Sequence, residues 1–191
     1  RDRRYLLAIV AAFAGVIGFY LIVQTTQNRV FPNVWSMGVN LGTLTEDEAV
    51  AALQREWDAN LRIRLIDEER AWDVTPAEFG LRLDARATAQ QARAVGLGGV
   101  PLGWHVSPVV SVEELTAQTM LLNLSEAAKI VPYHAGYTWQ GDQIVGVPGS
   151  DGRYLDVASS MEAPKASTTA VVDARQFALV MTPAHPDLSD P

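Results

Sequence analysis

The side chains with the richest chemistry in this sequence are three histidines, His105, His134 and His185, and they lie far apart. A catalytic imidazole needs a base or nucleophile within hydrogen-bond reach, and a metal site needs a second ligand at helical or hairpin spacing. None of the three has such a neighbour in sequence. His134 falls in a strand-like run with Tyr133 and Tyr137, where packing accounts for it. Asp142, Asp151 and Asp156 could approach one another, yet each sits where turn or cap chemistry already explains it. Glu46-Asp47-Glu48 reads as the first turn of a helix, favoured by the helix dipole, and not as a metal site. Ser150 has no histidine beside it. The glycine-rich run at 96–103 lacks the Lys-Ser/Thr of a phosphate cradle. Asn123-Leu124-Ser125 matches a glycosylation acceptor but falls inside a helical pattern. The absence of cysteine excludes disulfides, thiolate metal sites and cysteine nucleophiles. These residues predict no catalytic site, no cofactor and no metal.

Binding surfaces are the chemistry that remains. Tyr133, Tyr137, Trp139 and Tyr154 gather around a predicted hairpin, and Trp104-His105 lies on a connector. Flat rings suit sugar faces or a protein partner, although strand faces also collect aromatics for packing alone. Charge narrows the field. The net charge is −7, and residues 1–4 contribute +2, so the rest carries −9 (−7 − 2). Nucleic acid is not a predicted partner, because that binding needs clustered cations.

The elements that must position these residues begin with Tyr5–Val23, nineteen residues without a charge. As a helix the stretch reaches ~28 Å, close to the ~30 Å of a bilayer core. Arginines at 1, 3 and 4 flank one end and an uncharged polar run flanks the other, which predicts a cytoplasmic N-terminus and an extracytoplasmic bulk. Ala11, Gly15 and Gly18 give the predicted helix a small-residue surface for a partner helix in the cell membrane. Membrane lipid and other membrane protein chains are therefore expected partners.

Beyond the anchor, Thr45 with Glu48 forms a capping box for a helix over Thr45–Ala59. Alternating apolar and basic residues at 61–66 predict a half-buried strand, returning over 70–74. Asp84 caps a helix running to about Val95, and a second helix spans Val112–Ala128. Ile130–Trp139 and Gln143–Val147 form a hairpin around Gly141-Asp142. Tyr154-Leu155-Asp156 leads into a helix to about Met161, and Ala170–Asp173 and Gln176–Thr182 read as two further strands. Gly80, Leu83 and Asp84 recur as Gly152, Leu155 and Asp156 at a constant step of 72 residues, each time a glycine turn, a core leucine and a helix cap. The predicted fold is α+β: a single N-terminal transmembrane helix, then an extracytoplasmic domain of two similar helix-plus-hairpin lobes. The expected boundaries are a cytoplasmic stub at 1–4, the helix at 5–23, a linker at 24–29, the first lobe at 30–95, a Gly-rich connector at 96–105, the second lobe at 106–182 and a Pro-rich tail at 183–191. An opening Arg1 reads as an incomplete or processed N-terminus, and the tail reads as a linker where the chain is truncated or tethers something more.

The run Gly38-Val39-Asn40-Leu41-Gly42-Thr43-Leu44-Thr45 with Glu48, Ala49 and Leu53, then Phe79-Gly80 with Asp84, then residues 149–156, resembles the peptidoglycan-binding domain family found beside VanW-like domains and in YoaR-like proteins. The resemblance covers about 30–186. It implies a non-catalytic, membrane-anchored module of the bacterial cell envelope, with peptidoglycan as a further partner, serving in binding or scaffolding. The alternative is an accessory single-pass subunit that stabilises the outer face of a larger membrane complex.

Overall fold

A computed structural model of the chain describes residues 11–18, 29–68, 70–99 and 102–188. It corrects the expectation of a transmembrane helix. Among the described residues no helix is long and apolar enough to cross a membrane. The described part of the apolar stretch is a helix over 11–18, whereas a crossing needs ~30 Å of apolar helix. Residues 1–10 and 19–28, which hold the rest of the predicted anchor, lie outside the described residues. The single-pass topology and the cell-membrane localisation rested on that helix, and they fall with it. What stands is a mixed α+β fold with several small sheets.

The chain divides into two compact units, each built from two separate stretches: Arg1–Asn60 with Leu83–Val109, and Leu61–Arg82 with Val110–Pro191. In the first, β1 (Val34–Ser36) pairs antiparallel with β2 (Val39–Asn40) and parallel with β6 (Trp104–His105). Helix α1 (Glu46–Arg55) starts as the sequence predicts. The Thr45 side chain accepts from the Glu48 amide, and the Glu48 carboxylate accepts from the Thr45 amide at 2.8 Å. Its end departs from expectation, because the last turn widens into a π-helix over Glu56–Asn60 that buries Trp57. Helix α2 (Ala85–Ala94) lays Ala85, Ala89 and Ala92 inward, and small side chains allow two helices to approach closely. Glu46 stitches the pair together by accepting from Gln90 at 3.1 Å and Arg93 at 3.2 Å.

In the second unit, β3 (Ile63–Asp67) alternates as predicted, with Ile63, Leu65 and Asp67 inward and Arg64 outward. It pairs antiparallel with β4 (Arg70–Val74) and parallel with β11 (Gln176–Ala178), which makes it the centre of a three-stranded sheet. The β11 pairing is why 61–82 groups with the later half of the chain and not with the helix that precedes it. Phe79, fully buried, meets Phe177 of β11 at 5.1 Å between ring centroids. Strand β5 (Leu81–Leu83) lies beside β7 (Val110–Val112), and helix α3 (Glu114–Ala128) buries Ala117, Leu121 and Ala128. Asp67, inward at the end of β3, accepts from Arg70 and faces Arg153 Nη2 at 3.3 Å. The predicted strand at 170–173 is instead part of α6 (Thr168–Ala174), which follows two short helices, α4 (Val157–Ser160) and α5 (Glu162–Ala166). Ser167 caps α6 by accepting from the Ala170 amide, and Arg175 ends it in the left-handed conformation. A cap at each end outweighs the β-branched Val171-Val172 pair. The other predicted strand divides into β11 and β12 (Met181–Ala184), and β12 pairs antiparallel with β10 (Gly152–Leu155).

One local motif occurs twice, its aspartate, cap donor and hydroxyl 72 residues apart and its valine partner 71. The Asp84 amide donates to Val109 C=O at 2.8 Å, the Asp84 carboxylate accepts from the Ala87 amide, and Thr88 Oγ1 accepts from the Val109 amide at 2.9 Å. The Asp156 amide likewise donates to Val180 C=O at 2.8 Å, its carboxylate accepts from the Ser159 amide, and Ser160 Oγ accepts from the Val180 amide at 2.9 Å. In both, a buried hydroxyl on the first helical turn fixes a passing extended segment.

Candidate functional site

The predicted hairpin is one long antiparallel ribbon. Isolated bridges join Ile130 to Arg153 and Tyr133 to Ser150, and β8 (Gly136–Gln140) pairs with β9 (Gln143–Val147) in the same register. The turn falls on Gly141, whose φ of 67° is the left-handed conformation that glycine tolerates. No bulge interrupts the register, so the pleat alone decides which side chains share a face.

Tyr137 and Trp139 are two residues apart in β8 and lie on one face, roughly 6.6 Å apart along the strand. Across the ladder they face Gly146 and Ile144 respectively. Gly146 leaves bare backbone opposite the tyrosine ring, and Ile144 widens the apolar ground beside the indole. Nothing covers this face among the described residues: Tyr137 is 72 % exposed, Trp139 70 % and Ile144 61 %. The other two predicted aromatics sit further along the same ribbon. Tyr133, more than half exposed, marks the bridge to Ser150, and Tyr154 lies in β10 opposite Thr182. The structure thus places Tyr137 and Trp139 side by side, with Tyr133 and Tyr154 further along the ribbon. Sequence reading missed Ile144 and Gly146. The signal that could have found them is the two-residue Gly141-Asp142 turn, which fixes the cross-strand partners once the turn is accepted.

The base of the ribbon is tied down by polar groups. The Ala135 amide donates to Leu188 C=O at 2.8 Å, the Asp187 amide donates to His134 Nδ1 at 3.1 Å, and His185 Nδ1 contacts Asp151 Oδ1 at 3.0 Å. Two of the three histidines therefore fasten residues 185–188 onto the ribbon, and His105 lies in β6 opposite Trp35. Asp156 is held below the ordinary aspartate value, chiefly because the Ser159 amide donates to it, in keeping with its role as a cap. Lys129 is raised by its hydrogen bond to Glu126. Among the described residues no group of three or more His, Asp or Glu side chains lies close enough together to hold a metal ion. Of the small residues predicted to receive a partner helix, Ala11 and Gly15 are exposed, and a Cβ built on Gly15 or Gly18 meets no atom within 4 Å.

A second concave feature lies on α3. Glu78, Leu115, Thr116, Thr119, Met120 and Asn123 line an open groove of about 430 Å³. Its polar groups are largely engaged locally: Thr119 Oγ1 donates to Leu115 C=O and the Glu78 carboxylate accepts from the Thr75 amide. The ribbon, by contrast, offers apolar rings with no internal partner.

No curated protein and no solved structure matches this chain. A family model described as "Putative peptidoglycan binding domain" matches residues 72–169, a span that holds the ribbon, the α3 groove and both Asp-capped helices, and that leaves out the Gly38–Thr45 pattern. With slightly more than half of its length matched, the chain belongs to this peptidoglycan-binding domain family.

Proposed function

We propose that the chain is a non-catalytic binding module for peptidoglycan, and that it receives glycan strands on the Tyr137–Trp139 face of the β8–β9 hairpin. One observation carries this reading: two large aromatic rings stand side by side on an exposed ribbon inside the family-matched residues, with no core behind them. Aromatic faces attract the C–H-rich faces of sugar rings, and a rigid strand presents them without ordering a loop on binding. A neutral face also suits a neutral polysaccharide, since the hairpin's one charge, Asp142, lies at its tip. A closer kinship with YoaR-like proteins belongs to the same reading, and the Gly38–Thr45 pattern with its capping box supports it.

The test is co-sedimentation of the full chain with purified cell-wall sacculi, comparing wild type with a Tyr137→Ser/Trp139→Ser double variant. Both positions are exposed, so the variant keeps its far-ultraviolet circular dichroism. The expected result is a drop in bound fraction matching at least a tenfold weaker Kd. A folded double variant that sediments as well as wild type overturns the reading.

A further inference from the structure

The outward face of the β11–β3–β4 sheet carries cations that sequence reading did not single out. Register places Gln176, Arg64 and Asp73 in one row across the three strands. Arg62 lies two residues before Arg64 and is likewise outward, and Arg175 directly precedes β11. With Ala174 these residues line a pocket of about 420 Å³. Asp73 takes both arms of the Arg64 fork, at 2.8 and 3.1 Å, and Arg62 Nη1 donates to Leu61 C=O at 2.7 Å, so the lining holds three arginines and one aspartate, with Arg64 matched by Asp73. That concentration of positive charge stands on a chain whose net charge is −7. Arg175 is also held at φ 54°, φ being in the range where glycine or asparagine is the usual helix terminator.

We infer that this pocket binds a carboxylate, and that its ligand is the free carboxylate of peptidoglycan stem peptides. The inference rests on the peptidoglycan-binding reading above for the source of the ligand. Arginine forks match carboxylates in shape and charge, and Arg64, oriented by Asp73, stands between Arg62 and Arg175 as a fixed wall of the pocket.

The experiment titrates the full chain with a disaccharide tetrapeptide bearing free carboxylates and with the same compound fully amidated. Wild type should bind the free acid at least tenfold more tightly, the scale of one charge-assisted hydrogen bond. An Arg62→Gln/Arg175→Gly double variant should abolish that preference and leave the affinity for the amide unchanged. Glycine accepts the left-handed backbone at 175, and Arg62→Gln alone, expected to lose part of the preference, guards against misfolding. Equal wild-type affinity for both forms overturns the inference. So does displacement of the free acid by inorganic phosphate at lower concentration than by acetate, which would assign the pocket to phosphate-bearing wall polymers. Equal wild-type affinity for both forms with sacculus binding intact sinks this inference alone, whereas wild type that does not sediment with sacculi sinks both.

Discussion

Replacing Thr88 with valine keeps the shape of the side chain and deletes one oxygen. That oxygen accepts the Val109 amide at 2.9 Å and donates to Asp84 C=O at 2.8 Å, in a side chain with no exposed surface. Asp84 C=O keeps the Thr88 amide at 3.0 Å, so only the Val109 N–H loses its partner. An amide left without an acceptor costs about 1–3 kcal/mol, and the methyl that replaces the hydroxyl returns about 0.8 kcal/mol. The net expectation is a loss of about 1.5 kcal/mol. Ser160→Ala removes the equivalent acceptor of the Val180 amide and should cost a similar amount. Urea denaturation followed by tryptophan fluorescence reads this as a midpoint lowered by about 0.7 M at constant m, taking m near 2 kcal/mol/M. Hydrogen exchange supplies the local control: Val109 should exchange about tenfold faster only in Thr88→Val, and Val180 only in Ser160→Ala. Two variants as stable as wild type, with both amides still protected, would refute the idea that these hydroxyls anchor the passing strands.

Asp67→Ala should lower stability by about 2 kcal/mol, because it removes the buried carboxylate that Arg70 and Arg153 share and leaves Arg153 with Glu68 alone; a thermal midpoint falling by about 4–8 °C would bear this out. Gly152→Ala should cost about 3 kcal/mol or more, since a Cβ there would stand 2.3 Å from Ile130 C=O, and calorimetry should show unit 2 melting early. Glu48 and Glu78 are held below their ordinary value of 4.5, first by the backbone amides of Thr45 and Thr75. A carboxylate depressed in the folded state contributes stability above its ordinary pKa and loses it as pH falls through the folded value. Stability should therefore be flat near neutrality and decline below about pH 4.5, and Glu48→Gln with Glu78→Gln should flatten that decline in an acid titration followed by circular dichroism. An acid limb unchanged in the double variant would contradict it.

Local signals made much of this fold readable. Thr45 with Glu48, Asp84 and Asp156 announce their helices because a cap is a contact within four residues, and Gly141-Asp142 announces the ribbon for the same reason. What escaped depends on distant pairing. The parallel union of β3 with β11 joins Arg64 to Gln176, and nothing near either residue records it. The arginine pocket was invisible on the same account, since Arg62 and Arg64 read only as the outward half of an alternating strand. Helix α6 was mistaken for a strand because Val171-Val172 outweighed the Ser167 cap in a window that short. Gly80 and Gly152 show a subtler limit. They share one place in the repeat and both are crowded by backbone, yet Gly80 is also held at a φ of 74° that Gly152 does not need, so equal letters hide partly different causes. The apolar stretch at 5–23 met every hydropathy criterion, but no helix among the described residues is long and apolar enough to cross a membrane. The four predicted aromatics lie along the ribbon, while the cross-strand neighbours of Tyr137 and Trp139, Gly146 and Ile144, required the register.

The interleaving of the two units bears on how this domain can be cut. A gene fragment trimmed to the family-matched residues 72–169 would encode Phe79 without Phe177, β4 without its neighbour β3, and β10 without β12. Half a sheet cannot close over its own core, so such a fragment should emerge from the ribosome as an aggregation-prone remnant. The span that homology recognises is a record of descent, and the piece able to fold is longer at both ends.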